Sequence, residues 1–240
     1  MMRKQPELIL ALDVSSREEA LAVAAQFTGL PLWMKVGLEL YTVCGPGVVQ
    51  DLVALGFPVF LDLKFHDIPN TVEQAVRCAV QTGASMLTLH ACGGKAMLEA
   101  ARRGRDAACE GRVDKPLLMA VTVLTSMSPA DCGCSDAASL QALVTERASL
   151  ARHCGLDGVV SSALEVPSIK NACGKDFLCL CPGIRFAGKQ DMGDQVRVVA
   201  PDTAVEQGAD FLVMGRPIRT APNPVAAAGE ALTLMAKSFD

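Results

Sequence analysis

The segment PVFLDLKFHDIPNTVEQAVRCAVQTG, residues 58–83, contains one strand and one helix of an alternating fold. Residues 58–64 form a short apolar run with charges only near its end, which is typical of a strand buried on both faces. After a polar turn, residues 71–82 have the length of a helix, and Gly83 is the kind of residue that commonly ends one. The segment therefore predicts a β-strand followed by an α-helix.

The same alternation runs along the rest of the chain. Further apolar runs predict strands at 8–13, 32–37, 86–90, 117–124, 158–161, 177–182 and 211–215. Helix-length segments occupy 17–27, 46–55, 139–154 and 203–207. Ser15 and Ser16 are candidate N-caps of the segment that starts at 17. A glycine follows each of the other three segments: Gly56, Gly155 and Gly208. Since (β/α)8 barrels take ~250 residues, eight such strands predict an α/β fold, a (β/α)8 TIM barrel, with residues 1–240 as a single domain.

An open, doubly wound sheet is the alternative fold, because it too can hold eight parallel strands. Such a sheet often carries a glycine-rich dinucleotide fingerprint after its first strand. The sequence at that point reads Leu12-Asp13-Val14-Ser15-Ser16 and contains no glycine. The sequence therefore favours the barrel.

Composition argues against several classes of protein. Charged residues make up 20% of the chain and the formal net charge is −4, which disfavours a nucleic-acid-binding surface. The 10 cysteines include no Cys-x-x-Cys pair, so we expect reduced thiols, with Cys179 and Cys181 as small buried side chains. We see no signal peptide and no apolar stretch near the ~20 residues of a membrane span, and we expect a cytoplasmic protein that has no membrane contact.

Polar residues close the predicted strands, at the end where barrels carry their chemistry. They are Asp13, Lys35, Asp62, Lys64, Asp67, His90, Thr125, Ser126, Arg185 and Arg216, with Pro182 and Gly215 preceding the two arginines. Asp62 and Lys64 are two residues apart, so their side chains share one face of the strand, which in a barrel is the interior. We expect Lys35 and Asp67 to join them in an array of alternating charge. A salt-bridge network that only neutralises barrel charges is the alternative.

The last predicted strand indicates a phosphate site. Gly215 permits close approach of the backbone to a ligand, and Arg216 offers a planar fork of donors that suits a phosphate. Arg185 and Gln195 follow the seventh strand and would reach the same region, since barrels often bind phosphate with the loops after strands seven and eight. The alternatives are that Arg216 is an ordinary surface arginine and that Gln195 binds nothing.

Residues 61–72, LDLKFHDIPNTV, resemble the signature segment of the orotidine 5′-phosphate decarboxylase family. The Asp-x-Lys-x-x-Asp core is shared with related barrel enzymes that act on sugar phosphates, whereas the Ile-Pro-Asn-Thr extension is more specific. Further segments resemble the family's motifs in the same order: ALD at 11–13, KVG at 35–37, VLTS at 123–126, PGIR at 182–185, GDQVR at 193–197 and GRPI at 215–218. The match covers residues 7 to 220, nearly the whole chain, and is closest to the short bacterial form. Cys181 and Phe186 depart from the pattern, which has Thr and Pro there.

The resemblance implies a homodimeric barrel that converts orotidine 5′-phosphate to UMP and CO2, the last step of de novo pyrimidine nucleotide synthesis, without cofactor or metal. Lys64 would protonate C6 as CO2 leaves, with Asp62 against the substrate carboxylate. Asp13 and Lys35 would hold the ribose, and Ser126, beside Thr125, would read the pyrimidine edge. Asp67 and Thr71 would reach into the neighbouring subunit's site. The residues implied at the 5′-phosphate are Arg185, Gln195, Gly215 and Arg216, with Pro182 lining the pocket.

Two rival functions are left open. A metal-dependent sugar-phosphate decarboxylase or aldolase would share the barrel and the Asp-x-Lys-x-x-Asp core, and sensitivity to a chelator separates it from the first interpretation. A non-catalytic sensor of phosphate ligands would not need two lysines interleaved with two aspartates. We expect structural roles for His66, His90 and His153, since none matches a catalytic position of the family.

Overall fold

The computed structural model describes residues 5–186 and 198–239. Within these ranges, parallel strands pair in sequence order from β1 to β8 and close into a barrel through β1 and β8. The strands are β1 (Glu7–Ala11), β2 (Leu32–Gly37), β3 (Val59–Phe65), β4 (Met86–His90), β5 (Leu117–Val121), β6 (Gly158–Val160), β7 (Leu178–Cys181) and β8 (Phe211–Met214). The predicted (β/α)8 barrel is confirmed.

Helices follow the strands and surround the barrel. They are α1 (Arg17–Ala25), α2 (Leu38–Cys44), α3 (Gly47–Ala54), α4 (Pro69–Val80), α5 (Gly94–Ala108), α6 (Ala137–His153), α7 (Val166–Cys173), α8 (Pro201–Glu206), α9 (Arg216–Arg219) and α10 (Pro224–Lys237). In the part of the chain that the structure describes, none of these helices is both long and apolar enough to cross a membrane.

Three predicted boundaries were wrong for identifiable reasons. The fifth strand ends at Val121 instead of continuing to 124, because β6 offers only three residues to pair with. Helix α4 begins at Pro69 instead of 71, since proline is well accepted in the first turn. Helix α6 begins at Ala137 because Asp136 accepts the backbone N–H of Ser139 at 2.8 Å and caps the helix. The other predicted ends either agree with the structure or differ from it by one or two residues, and Ser16 is confirmed as the N-cap of α1.

The barrel interior is apolar in its lower part and polar at the carboxyl ends of the strands. Along β2, Met34 and Val36 are buried against the helices, whereas Trp33 packs with the interior cluster. The Trp33 ring meets Phe211 edge-on at 5.4 Å between centroids, and the indole N–H donates to Glu7 at 2.6 Å. Lys35, two residues after Trp33, lies above this packed layer. Because side chains alternate along β2, Lys35 points into the barrel as Trp33 does, but it lies at the open, carboxyl-terminal end of the strands.

The chain contains ten cysteines. All ten are free thiols. Cys179 and Cys181 are fully buried on β7, and burial raises the pKa of the Cys179 thiol to about 12. A thiol with that pKa is neutral at physiological pH and packs as a small apolar group.

Candidate active site

A cavity of about 390 Å³ opens at the carboxyl ends of the strands. Apolar side chains from the interior cluster, such as Phe60, Val160 and Leu180, contribute to its wall. The predicted site residues among its lining are Asp13, Lys35, Asp62, Lys64, Thr125, Ser126, Pro182, Arg185, Gly215 and Arg216. Residues from six strands or the loops after them therefore converge on one space, in the part of a barrel where active sites are found.

Four charged side chains form a continuous series of ion pairs in this cavity. Lys35 Nζ lies 3.1 Å from Asp13 Oδ1 and 3.9 Å from Asp62 Oδ2. Lys64 Nζ lies 2.8 Å from Asp62 Oδ1 and 2.9 Å from Oδ2. The side chains of Lys35 and Asp62 are each only 13% exposed, so solvent screens their attraction less than it would at the surface. The Asp62 carboxylate is thus held between two ammonium groups.

Asp67 was expected in this array, and in the described chain Asp13 takes that place. Strand β3 ends at Phe65, so the chain has left the barrel interior before it reaches Asp67. The Asp67 carboxylate is exposed and accepts the N–H of Ile68 at 2.7 Å. Thr71, in the first turn of α4, is also exposed, and neither residue is among those that line the cavity.

The backbone of Lys64 has an unusual conformation. Its φ is 51°, the only positive φ of a non-glycine residue in the described ranges. A left-handed conformation costs an ordinary residue ~1–2 kcal/mol, and such strain tends to concentrate at functional sites. The strand pairing is irregular at the same place, because the register between β3 and β4 shifts between Leu61 and Phe65. The tertiary structure must therefore compensate for the strain at Lys64.

The predicted phosphate end is built by the segments after β7 and β8. Gly215 separates β8 from α9, and a Cβ atom at this position would lie 3.2 Å from Asp13 Oδ2. The small residue therefore makes room for the Asp13 carboxylate, in addition to any ligand. Arg185 is positioned by its backbone N–H, which donates to Val199 O at 3.0 Å. Arg216 begins α9 and is exposed, whereas Gln195 lies outside the described residues.

Three further residues of this region were not predicted from the sequence to belong to the site. A Cβ atom at Gly37 would lie 3.0 Å from Lys35 Nζ, so this glycine leaves space for the ammonium group. Thr88 is fully buried and hydrogen-bonded to Asp62; its signal was a hydroxyl inside an apolar strand. Arg219 lines the cavity one turn after Arg216, and its Nε is buried with no hydrogen-bond partner among the described residues. Arg219 follows Arg216 by three residues, and this spacing could have predicted that both arginines lie on the same side of a helix.

The histidines lie away from this chemistry. Among the described residues that line the cavity there is no histidine. His66 and His90 have ring centroids 5.5 Å apart, and the pKa of His90 is lowered by burial first and by His66 second. His153 contacts the carbonyl oxygen of Ser149 at 2.6 Å through Nδ1. Over 5–186 and 198–239, no group of three or more acidic, cysteine or histidine side chains is arranged to hold a metal ion.

Comparisons with known proteins agree on one family. The family model of the orotidine 5′-phosphate decarboxylase / HUMPS family matches residues 6–231. A protein of Maridesulfovibrio salexigens named orotidine 5′-phosphate decarboxylase is 50% identical over 222 residues, 92% of this chain and 95% of that protein. A protein of the same name from Teredinibacter turnerae is 48% identical, over 94% of this chain and 95% of that protein. The crystal structure of orotidine 5′-phosphate decarboxylase from Lactobacillus acidophilus superimposes with a TM-score of 0.81 at 34% identity, covering 99% of this chain and 100% of that chain.

Proposed function

Because the chain belongs to the orotidine 5′-phosphate decarboxylase / HUMPS family, we propose that it converts orotidine 5′-phosphate to UMP and CO2, the last step of de novo pyrimidine nucleotide synthesis. The observation that carries the proposal is the Lys64 ammonium, 2.8 Å from Asp62 in a cavity that Arg185 and Arg216 also line. A proton donor and a pair of phosphate-binding groups are the two features that this substrate requires.

Lys64 is the proton donor in this proposal. When the bond between C6 and the carboxylate breaks, CO2 departs and an electron pair stays at C6, where no adjacent carbonyl group can delocalise it. Fixed charges must therefore stabilise the developing carbanion. The Lys64 ammonium supplies that charge and then transfers a proton to C6, after which the neutral amine takes a proton from solvent. Its two short contacts to Asp62 hold the donor in a fixed position.

Asp62 opposes the substrate carboxylate. The Asp62 carboxylate lies between Lys64 at 2.8 Å and Lys35 at 3.9 Å, and the substrate carboxylate binds next to it. Loss of CO2 removes the second negative charge, so the repulsion decreases as the reaction proceeds. Asp13 and Lys35, at the outer end of the array, bind the ribose hydroxyl groups.

The remaining residues bind the ends of the substrate. Arg185 and Arg216, with the backbone of Gly215, hold the 5′-phosphate, and Gln195 is assigned to the same group although it lies outside the described residues. Ser126 reads the pyrimidine edge beside Thr125, and Pro182 lines the pocket. Because the phosphate is remote from C6, its binding energy is available to orient the ring against Lys64.

The active form in this proposal is a homodimer in which Asp67 and Thr71 complete the neighbouring site. Both residues are exposed and lie outside the cavity of their own chain, which supports a role in a second subunit. Ile68, between them, has 67% of its surface exposed. An apolar side chain next to two polar ones is a combination that a subunit interface would cover.

The test is turnover of orotidine 5′-phosphate by the purified protein, followed as loss of the substrate's ultraviolet absorbance, with and without EDTA. Rapid loss that EDTA leaves unchanged is the expected result, and heat-inactivated protein provides the control. No loss, or loss that EDTA abolishes, would instead support a metal-dependent sugar-phosphate enzyme with the same Asp-x-Lys-x-x-Asp core. Assays with pentulose and hexulose phosphates would then follow.

A further inference from the structure

We propose that Thr88 is a positioning residue for Lys64, the proton donor. Thr88 acts through the backbone N–H of Lys64 and through Asp62, the carboxylate that binds the Lys64 ammonium. The kinetic test of this inference rests on the proposed function, because it measures turnover of orotidine 5′-phosphate. The structural test measures exchange of a backbone amide and does not depend on that function. Thr88 lies at the centre of β4 and is fully buried. Its hydroxyl bridges two site residues, at 2.9 Å from Lys64 N and 3.0 Å from Asp62 Oδ1.

The direction of both hydrogen bonds follows from the groups involved. A backbone N–H can only donate and an ionised carboxylate can only accept, whereas a threonine hydroxyl has one hydrogen and two lone pairs. Thr88 Oγ1 therefore accepts from the Lys64 N–H and donates to Asp62. Because Asp62 also accepts from Lys64 Nζ, the contacts form a closed ring that contains the lysine's backbone, the hydroxyl, the carboxylate and the lysine's own ammonium.

The irregular pairing of β3 and β4 explains why a side chain is needed there. Leu61 pairs with Leu87 and Phe65 with Leu89, so four residue steps along β3 correspond to two along β4. The residues of β3 between Leu61 and Phe65 are therefore out of regular register with β4. Thr88, between Leu87 and Leu89, supplies a side-chain oxygen in place of a carbonyl group and satisfies the Lys64 N–H.

The same contact holds Lys64 in its left-handed conformation. Lys64 has a φ of 51°, which an ordinary residue adopts only where surrounding contacts require it. Without the hydroxyl, the Lys64 N–H would be left without this partner inside the protein, and the backbone would move toward a common conformation. The ammonium would then change its distance from C6, while the phosphate and ribose contacts would persist. The loss is therefore expected in kcat and not in KM.

The kinetic test compares Thr88→Val, which keeps the shape and removes the hydroxyl, with Thr88→Ser, which keeps the hydroxyl. Since a displacement near 1 Å can cost ~10²-fold in rate, we expect Thr88→Val to lower kcat by ~10–100-fold with KM nearly unchanged. Thr88→Ser should restore most of kcat. Thr122→Val is the matched control, because Thr122 is 1% exposed, donates to the Val160 carbonyl oxygen at 3.1 Å and does not line the cavity.

Three outcomes would overturn the proposal: wild-type kcat in a folded Thr88→Val variant, an equal loss in Thr88→Ser, or an equal loss in Thr122→Val. A structural test on the unmodified protein requires neither turnover nor a stable variant. The Lys64 amide, bonded to a buried hydroxyl, should exchange with deuterium far more slowly than the amide of exposed His66. Equal exchange rates would refute the contact even if the enzyme is active. Slow exchange in a protein that does not act on orotidine 5′-phosphate would refute the proposed function alone.

Discussion

Replacing Gly104 by alanine should destabilise the protein, although alanine is the better helix former. Gly104 lies inside α5, where it faces α4. A Cβ atom at this position would lie 2.3 Å from Glu73 O and 3.1 Å from Glu73 C. These atoms belong to the backbone of α4, so no side-chain rotation relieves the clash. The two helices have to move apart if the alanine is to fit.

The magnitude follows from two opposing contributions. Alanine gains ~1 kcal/mol over glycine inside a helix, whereas overpacking a well-filled contact costs ~1–3 kcal/mol. A backbone clash belongs at the upper end of that range, so the net loss should be ~2 kcal/mol in the free energy of unfolding. For a chain of this size, that corresponds to a Tm lowered by ~4–8 °C.

Gly229 provides the matched control. It also lies inside a helix, α10, but a Cβ atom there would meet nothing within 4 Å. Gly229→Ala should therefore stabilise the protein by ~0.5–1 kcal/mol. Urea denaturation of both variants measures the difference, and equal stabilisation by the two substitutions would refute the close approach of α4 and α5. Because Glu73 follows Thr71 on α4, Gly104→Ala should also reduce turnover if Thr71 serves a neighbouring site.

Three further predictions concern the proposed site. Lys64→Ala should lower kcat by at least ~10²-fold, as loss of a general acid does, while UMP affinity in titration calorimetry is largely preserved; near-normal turnover would contradict the proton-donor role. Arg216→Ala should raise KM for orotidine 5′-phosphate by ~10–100-fold, since a hydrogen bond to a charged group contributes ~1.5–3 kcal/mol. Turnover of orotidine, which has no phosphate, should be unchanged. An equal loss for both substrates would exclude a phosphate contact. The Asp67→Asn and Lys64→Ala variants should each be nearly inactive alone. When the two variants exchange subunits, each heterodimer contains one site in which both Lys64 and Asp67 are present. Activity should therefore return in about a quarter of all sites. Continued inactivity after verified exchange would mean that Asp67 acts within its own chain.

The fold was predictable because its signal is local and repeated. The predicted limits of the second and fourth strands, 32–37 and 86–90, agree with the structure at both ends. Buried parallel strands are nearly continuous apolar runs, and helices α3 and α4 are followed within three residues by Gly56 and Gly83, whose φ values are 90° and 87°. Among the boundaries that failed, the end of β5 depends on the short β6, which is distant in sequence, whereas the starts of α4 and α6 depend on the nearby residues Pro69 and Asp136.

The candidate site was predictable in composition but not in geometry. The spacing of Asp62 and Lys64 predicts a shared face for a regular strand, and the two side chains do meet, at 2.8 Å. They do so on an irregular strand, with Lys64 at a φ of 51° and its N–H bonded to Thr88 of the neighbouring strand. A motif read along one strand cannot contain this information, because the residue that completes the arrangement lies 24 positions later in sequence. The identity of residue 88 should therefore be examined together with the Asp-x-Lys-x-x-Asp segment in any chain of this fold. A residue there that cannot accept a hydrogen bond predicts a displaced lysine even where the segment itself is complete.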